Sequence, residues 1–262
     1  MEHDEIISHN QAAWNQAVEE GNIWTVIANS EQINKARSGN PEIKLSPQSI
    51  VSDEWLGHIN NKRILALAAG GGQQGPILAA AGAQVSVVDF SDSQLKQDRL
   101  AAQKFDLEIE TIQTVANDLG FSGHNNYDLI INPCSNCFFP DLVSVWKECF
   151  RVLKPGGRLM YCFVNPISYL FDFEKANQGK FELKYTMPYS DNSSLNEEEK
   201  KRFIHKNTNY EFAHSLEHQI GSLAKAGFHL LDLKEDYWGN KVQNPIDNFF
   251  PQFINVLAQK PK

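Results

Sequence analysis

The sequence predicts an α/β protein built on a doubly wound, mostly parallel sheet of seven strands with an antiparallel strand at its C-terminal edge. Apolar runs without polar alternation, typical of strands buried on both faces, occur at 64–69, 85–90, 127–132 and 158–164. Segments with helical spacing follow several of these runs, which is the order of parallel crossover units. Two final strand-like segments, 228–238 and 252–260, are joined by an irregular loop that suits an antiparallel edge.

The first strand leads directly into a glycine-rich turn. Gly70, Gly72 and Gly75 stand in the spacing G-x-G-x-x-G, and the helix formers of 76–82 come next and end on a glycine. The second strand then carries Asp89 near its end, about twenty residues after the first glycine. This part of the chain is therefore a strand, a turn, a helix and a strand that ends in an acid.

Such a unit is suited to nucleotide recognition. Glycines let a ligand approach the main chain, and the amino terminus of the helix presents free N–H groups. A carboxylate at the tip of the second strand, here Asp89, can accept hydrogen bonds from both ribose hydroxyls. The pattern leaves NAD, FAD and S-adenosylmethionine (SAM) open as the ligand, and an ordinary glycine turn without a ligand is the alternative.

The following elements continue the alternation. Ser91 is placed to cap the next helix, and a third strand over 108–114 leads into Asp118, whose carboxylate could receive an adenine amino group. The fourth strand ends at Asn132. A helix over 142–153 ends in a Leu-Lys-Pro-Gly-Gly turn before the fifth strand.

Residues ahead of the first strand are predicted to form an N-terminal helical lid or flap. Its helical segment, 5–27, carries Trp14 and Trp24, which could cover a bound nucleotide or could only fasten the helix to the domain. The polar stretch 29–47 is predicted to be a surface loop or mobile flap.

A second segment breaks the alternation after the fifth strand and is predicted to be a cap over the carboxyl edge of the sheet, where substrate specificity usually lies. A strand over 181–187 and a helix with a Ser194-x-x-Glu197 capping box are expected in it. Its aromatic residues could line an apolar pocket or form the core of the cap: Tyr169, Phe171, Phe173, Phe181, Tyr185, Tyr189, Phe203, Tyr210 and Phe212. The predicted domains are the lid at 1–60, the cap at 165–213, and the sheet domain at 61–164 and 214–262.

Composition and charge argue against several classes of function. The net charge is −8 and the pI about 5.5, so the chain lacks the basic charge of a protein that binds nucleic acid or an anionic membrane. No apolar run approaches a membrane span, and we expect a cytoplasmic monomer or homodimer with reduced thiols. Cys134-x-x-Cys137 has no second close pair, so we expect neither a metal site nor a redox role there.

The chain resembles class I SAM-dependent methyltransferases, and more narrowly the bacterial type-11 methyltransferases whose nucleotide loop reads LASGGGQQGP. The loop here, 67–76, reads LAAGGGQQGP. The similarity continues through VVDFSDSQLKQDR at 87–99, NPCSNCFFPD at 132–141 and HSLEHQIGSLAKAGF at 214–228. It implies a Rossmann-like fold and transfer of a methyl group from SAM, which becomes S-adenosylhomocysteine (SAH), to a small-molecule acceptor.

This resemblance implies a set of cofactor contacts. Asp89 would hold the ribose hydroxyls, and Asp118 with Leu119 would hold the adenine. The residues expected to bind SAM are Trp14, Ala68, Gly70, Gly71, Gly72, Gln73, Asp89, Phe90, Asp118, Leu119 and Asn132.

One position departs from the family pattern. The first strand has Ala66 where these enzymes usually have an acid that helps to hold the methionine ammonium group. Gln73, Gln74 or the carbonyl group of Ala68 would then have to replace that acid.

Methyl transfer from a sulfonium is an in-line displacement, and holding the nucleophile beside the methyl group supplies much of the acceleration. A general base is needed only when the acceptor keeps its proton at neutral pH. His214, where the cap rejoins the sheet domain, is the first candidate for such a base, and a histidine that only caps a helix is the alternative. Further candidates are His205, Tyr210, Glu217 and His218.

Two other functions stay open. A SAM-binding protein without turnover, acting as a regulator, is suggested by Ala66. An NAD-dependent oxidoreductase fits the glycine spacing, but the strand pair at the end of the chain and the cap disfavour it.

Overall fold

The computed structural model describes residues 2–205 and 208–262, with residues 203–205 described by their backbone alone. The strands are β1 (Arg63–Leu67), β2 (Gln84–Asp89), β3 (Ile109–Gln113), β4 (Tyr127–Asn132), β5 (Leu153–Val164), β6 (Tyr189–Ser190), β7 (Phe212–Ala213), β8 (His229–Asp236) and β9 (Phe253–Gln259). The α-helices are α1 (His3–Glu19), α2 (Ser30–Arg37), α3 (Asp53–Leu56), α4 (Gln74–Ala80), α5 (Asp92–Phe105), α6 (Leu142–Val152), α7 (Phe173–Ala176), α8 (Asp191–Ser194), α9 (Glu197–His205) and α10 (Ser222–Lys225).

Most of the strands form one sheet, in the order β3-β2-β1-β4-β5-β9-β8. The strands from β3 to β5 run parallel, and β9 is antiparallel to both of its neighbours. The predicted seven-stranded, mostly parallel sheet with an antiparallel C-terminal strand is confirmed. Because β9 pairs with β5 on one side and β8 on the other, β8 forms the outer edge.

Alternate residues of the parallel strands enter two different cores. In β1, Ile64 and Ala66 pack with residues of α2 and α4 on one face of the sheet, whereas Leu65 and Leu67 pack with residues of α6 on the other. All of these side chains are fully buried. This burial on both faces explains the unbroken apolar run of β1, and it places Ala66 inside the core.

The N-terminal segment contains a helix where the sequence predicts a loop. The side chain of Asn29 accepts the backbone N–H of Gln32, and the side chain of Gln32 accepts that of Asn29, so α2 begins with a capping box. Ile33 and Ala36 are buried against the sheet domain. The loop prediction for 29–47 is therefore wrong over α2, because a polar helix needs only this cap and one short apolar stripe.

The predicted strand at 181–187 is absent from this described part of the cap. Leu183 makes a single bridge to Phe171 and is 73% exposed. The alternation of apolar residues over 181–187 is not sufficient to form a strand, because an isolated strand has no neighbour to satisfy its backbone hydrogen-bonding groups. The cap instead has a short antiparallel pair, β6 with β7, in which Tyr189 lies opposite Ala213.

Two predicted element ends also differ. Asn196 caps α9 and exchanges hydrogen bonds with Glu199, so the capping box lies two residues beyond the predicted Ser194-x-x-Glu197 pair. The Leu-Lys-Pro-Gly-Gly segment, 153–157, belongs to β5, where pairing with β4 jumps from Leu153 to Arg158. Within the described ranges, no helix is both long enough and apolar enough to span a membrane.

A test of the second core is available at Trp146 of α6. Its ring is fully buried with its centroid 4.6 Å from that of Tyr161, and its indole N–H has no hydrogen-bond partner among the described residues. We expect Trp146→Ala to lower the free energy of unfolding by about 3–5 kcal/mol. Trp146→Phe should cost less than half as much, because it keeps an aromatic ring and removes the unpartnered donor. Urea unfolding measures both, and equal losses would contradict this packing.

Candidate functional site

A cavity of about 650 Å³ lies along the carboxyl edge of the parallel strands. This volume is within the range of small-molecule sites. The strands contribute to it in the order of the sheet, through 114–117 after β3, 89–90 at the end of β2, 68–70 after β1, 133–135 after β4 and Val164 at the end of β5. The cavity therefore crosses the sheet at the edge where doubly wound folds bind their ligands.

Asp89 connects the ends of two neighbouring strands. Its carboxylate lines the cavity, accepts the backbone N–H of Gly70 at 3.1 Å through Oδ2 and accepts that of Ser91 at 3.0 Å through Oδ1. Burial raises the pKa of Asp89 to about 6 although these hydrogen bonds act in the opposite direction. A Cβ atom on Gly70 would lie 3.0 Å from Oδ2, so the absence of a side chain at Gly70 allows this close approach.

The glycine loop turns its next two amides into the protein. Gly71 and Gly72 have positive φ angles of 112° and 75°, and both donate their N–H to Oδ2 of Asp98, at 3.1 and 3.2 Å. Neither glycine lines the cavity, whereas Ala68, Gly70 and Gln73 do. The loop thus presents its β1 side to a ligand and its later amides to α5.

Asp98 is a site residue that the sequence analysis missed. It is 0% exposed, and its Oδ1 atom has no hydrogen-bond partner among the described residues. Burial raises its pKa to about 8. The helical spacing in the sequence indicates this position, because Asp98 lies three residues after Leu95 and three before Ala101. Both of these residues are buried, so Asp98 is on the inward face of α5.

The N-terminal segment packs over the glycine loop. The side-chain amide of Gln73 donates to the carbonyl groups of Ile23, at 2.8 Å, and Val26, at 3.0 Å, and Ala28 donates its N–H to Gly72 at 2.7 Å. Trp14 and Trp24 both line the cavity. The ring of Trp14 meets that of Phe138 edge-on, with centroids 5.5 Å apart, and Trp24 packs beside Trp238.

The segment after β3 differs from its prediction. Asp118 and Leu119 do not line the cavity: the Asp118 carboxylate accepts the N–H of Gly120, and the amide of the buried Leu119 donates to Glu148 on α6. The cavity wall is formed by 115–117 instead. The turn toward α6 begins earlier than the sequence pattern indicates, which carries Asp118 away from the cavity.

Asn132 supports the site from behind. It is fully buried, and its side-chain amide donates to the carbonyl group of Leu67 at 2.8 Å and to the hydroxyl of Ser135 at 2.6 Å. It does not line the cavity, but it joins the end of β4 to the end of β1. Cys134 and Cys137 line the cavity as free thiols.

His214 is outside the cavity wall. Its Nε2 atom is 2.8 Å from the carbonyl oxygen of Phe139, and burial lowers its pKa. It lies two residues ahead of the helical stretch that begins at Leu216, so it is outside that helix.

The further candidates for a base are no better placed. Tyr210 is buried, and its main chain is hydrogen-bonded to the side chain of Asn10. Glu217 is exposed and forms an ion pair with Lys225, and His218 is also exposed. None of these lines the cavity. The side chains of His205 and Phe203 lie outside the described residues.

Glu211 is one of several acids that line the cavity without having been predicted from the sequence, the others being Asp4, Glu42 and Asp141. It precedes β7, lines the cavity and accepts the hydroxyl of Tyr169 at 2.5 Å through Oε2. Burial raises the pKa of Glu211 to about 7, and the nearby Asp191 adds to this rise. No motif marks this residue in the sequence, because a single acid in an irregular segment has no diagnostic spacing.

The pH dependence of stability tests the buried state of Asp98. Asp98 keeps its proton in the folded chain up to a pH of about 8, whereas an unfolded aspartate loses it near 3.9. Between these pH values only the unfolded chain loses the proton, so the free energy of unfolding falls as the pH rises. We expect Asp98→Asn to gain stability over the wild type by up to about 1.4 kcal/mol per pH unit in this range, levelling off above it.

Urea unfolding at pH 5 to 9 measures this difference. The exposed Asp53→Asn is the matched control, and its difference from the wild type should stay constant over that range. A constant difference for Asp98→Asn would contradict a buried carboxyl that keeps its proton.

Comparison with known proteins agrees with this geometry. A family model described as a methyltransferase domain matches residues 65–161. The uncharacterized methyltransferase YbaJ of Bacillus subtilis (strain 168) is 42% identical over 234 residues, which cover 89% of this chain and 92% of that protein. The ubiquinone biosynthesis O-methyltransferase of Alkalilimnicola ehrlichii is 32% identical over 120 residues, 45% of this chain and 49% of that enzyme, so this match spans about half of its length.

Solved structures share the fold. The SAM-dependent methyltransferase from Mesorhizobium loti has a TM-score of 0.63 at 17% identity, covering 79% of this chain and 94% of that one. The 1,6-didemethyltoxoflavin-N1-methyltransferase of Burkholderia thailandensis, solved with 1,6-didemethyltoxoflavin and SAH, has a TM-score of 0.61 at 14% identity, covering 100% and 92%. At these identities the likeness concerns the fold alone, whereas the similarity to YbaJ extends over nearly the whole sequence. The chain belongs to the methyltransferase family that this model and YbaJ represent.

Proposed function

We propose that this protein transfers a methyl group from SAM to a small molecule bound beside it in the same cavity. The observation that carries the proposal is the continuity of that cavity along the sheet edge, from the carboxylate of Asp89 to the largely apolar wall after β4 and β5. One end has the chemistry that binds a nucleoside. The other end has room for a second, mostly apolar molecule.

The residues at the first end fit SAM. Asp89 can accept the ribose hydroxyls, the 115–117 segment can receive the adenine, and the main chain of Ala68 and Gly70 can hold the methionine part. Gln94, which also lines the cavity, has an Oε1 atom that is buried without a partner among the described residues. This orphaned acceptor is suited to an N–H donor of the ligand.

The ammonium group of SAM needs partners other than a first-strand acid. Ala66 is fully buried and does not line the cavity, so its identity gives no support to a protein without turnover. The ammonium group donates hydrogen bonds and so needs oxygen acceptors on the cavity wall, which are the carbonyl group of Ala68 and the side-chain oxygens of Gln73, Gln74 and Gln94.

The glycine loop argues against NAD. Dinucleotides place their pyrophosphate on the free amides of this loop. Here the amides of Gly71 and Gly72 donate to the buried carboxyl of Asp98, which a pyrophosphate would have to displace. SAM carries no phosphate and does not need these donors.

SAM supplies an electrophilic methyl group, and the protein's task is to bind, align and exclude water. Trp14 and Trp24 can cover the nucleoside, and Cys137, Phe139 and Val164 offer an apolar surface to the acceptor. The Burkholderia structure is named for methylation of 1,6-didemethyltoxoflavin, and the Alkalilimnicola enzyme for ubiquinone biosynthesis, which supports a small-molecule acceptor here. The cytoplasmic location and a monomeric or homodimeric state stay predictions from the sequence.

Calorimetric titration with SAH, SAM and NAD tests the proposed function. We expect micromolar binding of SAH and SAM and none of NAD. Asp89→Ala should weaken SAH binding at least about 100-fold, because the two ribose hydroxyls lose a charged acceptor. The exposed Asp53→Asn is the control and should bind SAH like the wild type. Binding of NAD without SAH would overturn the proposal.

The division into a lid at 1–60 and a cap at 165–213 is part of the proposal, and the lid can be tested at Gln73. Gln73→Ala removes the two hydrogen bonds to the lid. We expect amide exchange of Ala28 to accelerate about tenfold and SAH binding to weaken by a similar factor, because each hydrogen bond contributes about 1 kcal/mol. The exposed Gln103→Ala should change neither, and an unchanged exchange rate in Gln73→Ala would contradict a lid held by this residue.

A further inference from the structure

Glu211 lies on the acceptor side of the cavity. Its partner Tyr169 belongs to the turn Pro166–Leu170, which follows β5, whereas Asp89 ends β2, three strands away in the sheet. Cys137 and Phe139, after β4, line the cavity on the same side. A molecule bound next to the proposed SAM site therefore meets Glu211 within a mostly apolar wall.

Both the main chain and the side chain of Glu211 are held in place. Its backbone N–H donates to Oδ2 of Asp191 at 2.6 Å, and the backbone N–H of Asp191 donates to the carbonyl group of Glu211 at 3.0 Å. The hydroxyl of Tyr169 occupies Oε2. Tyr169 and Asp191 are both buried, so this support is rigid. The second carboxylate oxygen, Oε1, has no hydrogen-bond partner among the described residues.

No cation of the described residues compensates the charge of this carboxylate. Among the described residues, the charged group that affects the pKa of Glu211 is Asp191, which is itself acidic and raises that pKa further. A carboxylate in an apolar wall with one hydrogen bond is costly unless a ligand supplies a further donor. Such groups concentrate at sites where they react or bind.

We propose that Glu211 accepts the proton of the methyl acceptor, which is then a mostly apolar small molecule with a hydroxyl or N–H nucleophile. The inference rests on the proposed methyl transfer from SAM. As the acceptor's oxygen or nitrogen forms its bond to the methyl carbon, the sulfur–carbon bond breaks and its electron pair stays on sulfur. The acceptor's proton passes to the Glu211 carboxylate, and the neutral carboxyl group returns it to solvent after the product leaves.

The electrostatic surroundings suit this role. A proton acceptor is most effective when its pKa is near the working pH, and burial raises the pKa of Glu211 to about 7. The hydrogen bond from Tyr169 acts in the opposite direction and keeps the carboxylate form available. The titratable groups that face Glu211 are Tyr169, Tyr189, Asp191, Cys134 and Cys137.

Binding of paired probes tests the recognition step without turnover. The full chain saturated with SAH is titrated with phenol and aniline and with their methylated forms, anisole and N,N-dimethylaniline. We expect the wild type to bind a protic probe at least about tenfold more tightly than its methylated form, because only the former can donate to Glu211. In Glu211→Leu this preference should fall below about threefold, with SAH binding unchanged.

Turnover with the best-bound probe and SAM tests the proton transfer. Glu211→Gln, which keeps the size of the side chain, should lose at least about 100-fold in kcat with little change in KM. The wild-type rate should fall as the pH drops below about 7, and Glu211→Gln should lose this dependence. The exposed Glu235→Gln is the matched control and should match the wild type in every measurement.

The outcomes separate the two proposals. Failure of SAH to bind the wild type overturns the proposed function and this inference together. Normal SAH binding with no preference for protic probes, with no probe bound, or with full turnover in Glu211→Gln overturns the inference alone. Circular dichroism and SAH affinity establish that each variant is folded, and Glu211→Gln decides the matter if Glu211→Leu does not fold.

Discussion

The site depends on the hydrogen bonds between one buried carboxyl group and the glycine loop. Asp98 of α5 accepts the amides of Gly71 and Gly72, which holds the loop against the helix. With those amides turned inward, Gly70 is positioned to donate to Asp89, and the carbonyl group of Gly72 accepts the lid's Ala28. The strand ends, Asp89 and the N-terminal segment therefore meet through a loop whose shape one side chain determines.

Three acids of the site, the buried Asp89 and Asp98 and the half-buried Glu211, differ in the number of hydrogen bonds that their carboxylates accept. Among the described residues, Asp89 and Asp98 each accept two backbone N–H groups, whereas Glu211 accepts one tyrosine hydroxyl. Burial raises the pKa of all three. The least satisfied of them faces the apolar part of the cavity, where a second substrate would bind. Desolvation of a carboxyl group therefore serves to hold the glycine loop at Asp98, and under the proposal above it serves to accept a proton at Glu211.

Local patterns predict the sheet and one side of the site. The apolar runs predict the parallel strands, and the glycine spacing with Asp89 predicts the nucleoside end, because these signals lie within one strand–helix–strand unit. Asp118 shows the limit of such patterns. A few residues decide whether the chain after β3 still borders the cavity or has turned toward α6, and spacing does not locate that point. Glu211 depends on the contact between the cap and the turn after β5, which is long-range and leaves no local pattern.

A crystal structure of the protein with SAH tests the central claim most directly. The account predicts the ribose hydroxyls on Asp89, the adenine against 115–117, and the thioether sulfur turned toward the wall that contains Glu211, with the amides of Gly71 and Gly72 still bound to Asp98. Density for SAH outside this cavity, or with its sulfur directed away from Glu211, would contradict it.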